Sequence, residues 1–149
     1  MIFKQWLKTY NETLADWYAQ GNVLTPEIAR ESLAALTRTY VTNSPDLSLV
    51  LDDLVDSGAA PIPIRIYHPD RFTSLEVVVF LHGGGHMAGS VEVYDPICRK
   101  IAQRTHRIVL SAEYRLAPEY PYPAGLDDGA NVLEGCLGML DRLGLNYLP

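Results

Sequence analysis

The residues with the clearest chemical potential in this sequence are His82-Gly83-Gly84-Gly85, which follow the apolar run Val77-Val78-Val79-Phe80-Leu81. A β-branched and aromatic run without polar alternation reads as a strand buried on both faces of a mostly parallel sheet. Three successive glycines then strip the backbone of side chains. Because glycine adopts positive φ freely, its N–H groups can be brought close to a ligand. Donors held that way stabilise an oxygen that becomes negative during a reaction, which is the chemistry of an oxyanion hole. The same triplet also suits a loop that merely turns sharply.

Two other chemistries touch the same residues. Gly83-x-Gly85-x-x-Ala88 fits a dinucleotide-binding fingerprint, with Glu113 at the end of the next strand where a ribose-binding acid would stand. That mechanism needs the helix to start at the glycine turn. Here Gly89 and Ser90 intervene, and Asp95-Pro96 is the expected helix start, several residues too late. His82 and His86 lie four apart, but a zinc pair at that spacing needs a helix, and three glycines between them argue against one. Neither a metal nor a cofactor is expected.

The surrounding elements set the frame. The 149 residues carry a net charge of −6, with 48% apolar and 20% charged residues, the profile of one globular domain. No Lys/Arg cluster offers a basic face, so neither nucleic acid nor an anionic membrane is an expected partner. No stretch reaches membrane-span length and MIFKQWLKTY lacks a signal-peptide core, which predicts a cytoplasmic protein with no membrane span. Cys98 and Cys136 fall in helical patterns and read as reduced core thiols.

Helical periodicity spans Ile2 to about Gln20, and a second helix starts at Thr25-Pro26-Glu27 with a hydroxyl N-cap. The aromatic residues of this pair read first as core. Leu47–Val55 and Ile62–Tyr67 read as a hairpin-like strand pair around Ser57-Gly58, and Pro63 assigns the second strand to the sheet edge. Asp95-Pro96 to about Arg104 is a helix with Asp95 as N-cap. Ile108–Ala112 is a further apolar strand, completing a parallel βαβ unit. The fold class is α/β. A final helix spans about Leu126 to Leu143, with Leu133, Leu137 and Leu140 at helical spacing and no strand after it.

His82-Gly83-Gly84-Gly85 after an apolar strand, then Glu113-Tyr114-Arg115-Leu116-Ala117-Pro118-Glu119 and Pro121-Tyr122-Pro123-Ala124, together resemble the hormone-sensitive-lipase-like branch of α/β-hydrolase carboxylesterases. The resemblance covers nearly the whole chain. It implies cap helices in residues 1–42 and the N-terminal half of an α/β-hydrolase core in 43–149, an incomplete fold without its nucleophile elbow. It assigns the N–H groups of Gly84 and Gly85 to the oxyanion hole. His82 and Gly83 become loop support, and Arg115 and Glu119 become a structural ion pair bracing the proline loop. His86 and Glu113 depart from the family pattern, the first where an aromatic or small apolar residue is frequent, the second where aspartate is usual.

Such chemistry needs a serine on a GxSxG elbow, then an acid and a histidine. Ser57 and Ser90 stand beside glycine but in no such motif, and His68 and His106 precede no candidate nucleophile. The implied function is hydrolysis of short-acyl or aryl esters, with this chain supplying the oxyanion loop. A complementary C-terminal segment would supply the rest, and without it this chain would be inactive. The family's next strand pairs beside Val77–Leu81, so an open edge there, inviting a complementary segment or self-association, is expected. The alternative is a non-catalytic binding or assembly module, with a dinucleotide-binding βαβ unit as a lesser one.

Overall fold

The computed structural model describes residues 2–56 and 60–148. In chain order these form α1 (Ile2–Ala19), α2 (Pro26–Tyr40), β1 (Leu49–Val55), β2 (Ile62–His68), β3 (Val77–Phe80), α3 (Val91–Thr105), β4 (Ile108–Ala112) and α4 (Ala124–Arg142). Two helices precede the first strand, as expected, and the Thr25 hydroxyl caps α2 by accepting from the Ile28 N–H. The strands make one mixed sheet in the order β1-β2-β4-β3. β1 and β2 are antiparallel, and β3 and β4 are the parallel pair of the βαβ unit.

Alternation along the strands sorts the core into two layers. Ile64, Ile66, Ile108 and Leu110 face α4 and pack with Val132, Cys136 and Leu140. Tyr67 and Val109 point the other way, onto Cys98 and Ala102 of α3. Both cysteines are buried and unpaired, and burial pushes the Cys98 thiol up to about 11.

Several expectations are corrected. β2 is internal, between β1 and β4, not at the edge. Pro63 is tolerated because it lies just outside the β4 register, which starts at Ile64 paired with Ala112. Helix α3 begins at Val91 with Ser90 as N-cap, and Asp95-Pro96 sits inside it. Asp95 instead binds Arg99 and Arg65. The buried stripe of α4 is Val132, Cys136, Met139 and Leu140, while Leu133 and Leu137 are exposed. The stretch after α4 is not free: Tyr147 forms a single parallel bridge with Leu75, and the Leu148 N–H bonds the Leu75 carbonyl at 2.9 Å. The Ser57-Gly58 turn lies outside the described residues.

Candidate functional site

The glycine loop leaves the C-terminal end of β3 and closes on itself. The Gly84 carbonyl accepts the Met87 N–H at 3.2 Å and the Ala88 N–H at 2.9 Å. Gly84 stands at φ 136° and Gly85 at φ 64°, where side chains are disfavoured. A Cβ on Gly84 would fall 2.0 Å from the Ala88 carbonyl oxygen, so the turn closes only around glycine there. His86 also takes a left-handed φ of 57°, a conformation that costs a non-glycine residue about 1 kcal/mol or more.

Among the described residues neither the Gly84 nor the Gly85 N–H has a hydrogen-bond partner. Two successive unpartnered donors on one loop are chemically able to bind an electron-rich oxygen.

His82 lies against the loop, with its Nδ1 close to Gly89. Its ring is buried, stacked on Tyr114 at 4.4 Å and facing Tyr94 at 5.5 Å between centroids. Its Nδ1 lies 3.1 Å from the Gly83 carbonyl, a contact that is a hydrogen bond in the tautomer with the proton on Nδ1. The Tyr114 hydroxyl donates to the His82 carbonyl at 2.5 Å. Burial raises the Tyr114 phenol above its usual range and keeps it a donor.

Arg115 and Glu119 do not pair with each other. Arg115 binds the buried Asp128 of α4 through Nη2 at 2.7 Å and through its backbone N–H at 2.9 Å. Burial acts to raise the Asp128 carboxyl, but the Arg115 hydrogen bonds outweigh it, and the group is held below its usual range. Glu119 binds Arg30 of α2 as a two-pronged fork, at 2.8 and 2.6 Å. Arg30 also donates to the Met87 carbonyl at 2.9 Å and to the Ala117 carbonyl at 3.2 Å. Asp128, expected only as a first-turn carboxylate of α4, and Arg30 were not foreseen as partners of these residues. Both sit on helices as ordinary polar positions, and nothing local signals partners this far along the chain.

Between α1, α2 and the glycine loop lies an apolar groove of about 750 Å³, bordered by Tyr10, Leu14, Trp17, Leu33, Gly84 and Gly85. That size suits a small-molecule site. No charged side chain among the described residues borders it. The aromatic stripe of α1 is therefore not core: Trp17 is half-buried, and Tyr10 and Tyr18 are exposed. His86 is exposed and does not border the groove.

The dinucleotide geometry fails for a reason other than the late helix. The α3 N-terminus lies closer to the glycines than expected, but two of its first-turn donors, the Val91 and Val93 N–H groups, are engaged. The Glu113 carboxylate accepts the Val91 N–H at 2.6 Å and the Ser90 hydroxyl accepts the Val93 N–H at 3.0 Å. An acid that caps the helix is not available to a ribose, and a pyrophosphate would meet that carboxylate.

Residues 78–143 match a family model described as the α/β hydrolase fold. The chain is 42% identical over 103 residues to a protein named carboxylesterase NlhH from Mycobacterium tuberculosis, a match covering 68% of this chain and 32% of that protein. It is 32% identical over 112 residues to a Saccharolobus solfataricus protein named arylesterase, covering 75% and 35%. Among solved structures, the hyperthermophilic esterase of Pyrobaculum calidifontis superposes with a TM-score of 0.75 at 30% identity, covering 93% of this chain and 45% of that one. The chain thus spans about a third of the length of the curated relatives it matches. Among the described residues no helix is long and apolar enough to cross a membrane.

Proposed function

Because this chain belongs to the hormone-sensitive-lipase-like carboxylesterases and carries part of their α/β-hydrolase fold, we propose that it supplies the oxyanion loop of a carboxylic ester hydrolase. The observation that carries this reading is the pair of unpartnered N–H groups on Gly84 and Gly85, at the border of an uncharged groove. A nucleophile from outside these 149 residues adds to the ester carbonyl, the carbonyl oxygen takes the charge, and the two N–H groups bind it. Collapse expels the alcohol, and water then releases the acid. His82 and Gly83 shape the loop, Arg115 fixes the proline loop on α4, and Glu119 fixes it on α2. The groove holds the apolar part of a neutral ester, of short-acyl or aryl type.

Fusing this chain to the remaining portion of the M. tuberculosis relative tests the reading. Hydrolysis of p-nitrophenyl acetate is expected. Gly84→Val keeps the N–H but its side chain cannot enter the closed turn, and the displaced donor is expected to lower turnover about a hundredfold, the size of loss seen when an oxyanion donor is removed. A folded fusion without esterase activity would refute the reading.

A second reading rests on a different observation. β3 is one of the two edge strands of the sheet, with half-buried apolar residues throughout. An edge of this kind receives another strand. The complementary segment of the first reading would occupy it, and in a non-catalytic assembly module a second copy would do so.

A further inference from the structure

We propose that Arg30 is a positioning residue that fixes the glycine loop relative to α2 and so couples the groove to the oxyanion donors, a role that rests on the ester-hydrolase reading above. Arg30 projects from the helix whose Ala29 and Leu33 border the groove. Its guanidinium reaches the Met87 carbonyl, the Ala117 carbonyl and both oxygens of Glu119. The Ala117 N–H in turn donates to the His86 carbonyl at 2.8 Å. Two consecutive carbonyls of the loop, His86 and Met87, are thereby tied to the proline loop and to α2, and Arg30 joins those two anchors to each other.

The next peptide donors, from Met87 and Ala88, close the turn onto the Gly84 carbonyl. A shift of Arg30 therefore reaches Gly84 through bonded contacts alone. Only a guanidinium suits this place, because its planar fork presents five donors, whereas an ammonium is a single point of charge. Stability does not account for it. The pair is partly exposed, at 36% and 52% of the two side chains, and exposed ion pairs contribute little to stability. What the arrangement provides is geometry: a ligand seated against Leu33 presses on the helix that holds the loop.

Two measurements test this. The first is amide hydrogen exchange on the chain itself. Arg30→Met is expected to speed exchange at Ala88 and Ala117 about tenfold or more, with the amides of β2 and β4 unchanged. Arg30→Lys, which keeps the charge opposite Glu119, is expected to fall between and covers the case in which the methionine variant does not fold. Unchanged exchange at Ala88 and Ala117 would overturn the proposal. So would equal acceleration in β2 and β4, which assigns Arg30 to global stability. The second is the fused enzyme, in which Arg30→Met is expected to lower kcat about tenfold or more at nearly constant KM, since small misplacements of catalytic groups are costly. A change in KM alone would overturn the coupling to the donors. An inactive fusion with Arg30 intact would refute the ester-hydrolase reading while leaving the exchange result standing.

Discussion

Gly84 and Gly85 are adjacent and chemically identical, yet their environments separate them. At Gly84 an added Cβ meets the Ala88 carbonyl oxygen at 2.0 Å, and that oxygen belongs to backbone that cannot swing away. At Gly85 an added Cβ meets nothing within 4 Å, and only the φ of 64° opposes it. Gly85→Ala is therefore expected to cost about 1–2 kcal/mol, the ordinary left-handed penalty, and Gly85→Asn less. Gly84→Ala must open the turn and is expected to cost more. Thermal unfolding of the three variants checks the order, and equal losses at both positions would contradict the closed turn. The glycine triplet was legible as a loop with exposed donors, but not which glycine is sterically required. That depends on Ala88 folding back onto Gly84, and an alanine four residues on carries no signal of it.

Elements obey local signals except where a distant group outbids them. Thr25-Pro26 starts α2 as read, because cap and helix lie in one short stretch. Asp95-Pro96 has the same form and does not start α3, because the Ser90 hydroxyl and the Glu113 carboxylate together satisfy an earlier terminus. β2 was misplaced for a related reason: a proline argues for an edge only where the strand its nitrogen faces needs a donor, and Pro63 faces β4 just beyond the end of their paired register. Ion pairs between elements were the least legible, since Arg115–Asp128 and Arg30–Glu119 join residues that the fold alone brings together.

The Arg30–Glu119 pair gives a pH prediction at this scale. The Arg30 hydrogen bonds hold the Glu119 carboxyl at about 2, below its ordinary 4.5. The unfolded chain thus binds the proton first on acidification. The pair's contribution is full above the ordinary carboxyl range and is lost as pH falls through about 2. The gap in Tm between the native chain and Glu119→Gln is expected to be small, widest above pH about 5, narrower in salt, and closed near pH 2. A gap that widens on acidification would contradict the pairing.

For the whole molecule, the two edges of the sheet differ. β1 carries Asp52 and Asp53, held by Arg65 and Arg142, and charge along an edge discourages strand addition. β3 is Val77-Val78-Val79-Phe80, with neither charge nor proline. Its residues pack inward on both faces, Val77 and Val79 toward α4 and Val78 and Phe80 toward α3, yet all remain only half-buried. The Leu75–Tyr147 bridge lies just before β3 in the chain. The chain by itself is therefore expected to associate through β3 and not through β1. Sedimentation should show concentration-dependent assembly, and amide exchange should report new protection at Val77–Phe80 as concentration rises, with Leu49–Val55 unchanged. Protection appearing at β1 would move the interface to the other edge. A monomer at every concentration, unfolding in one sharp cooperative transition, would mean that β3 is not an adhesive edge.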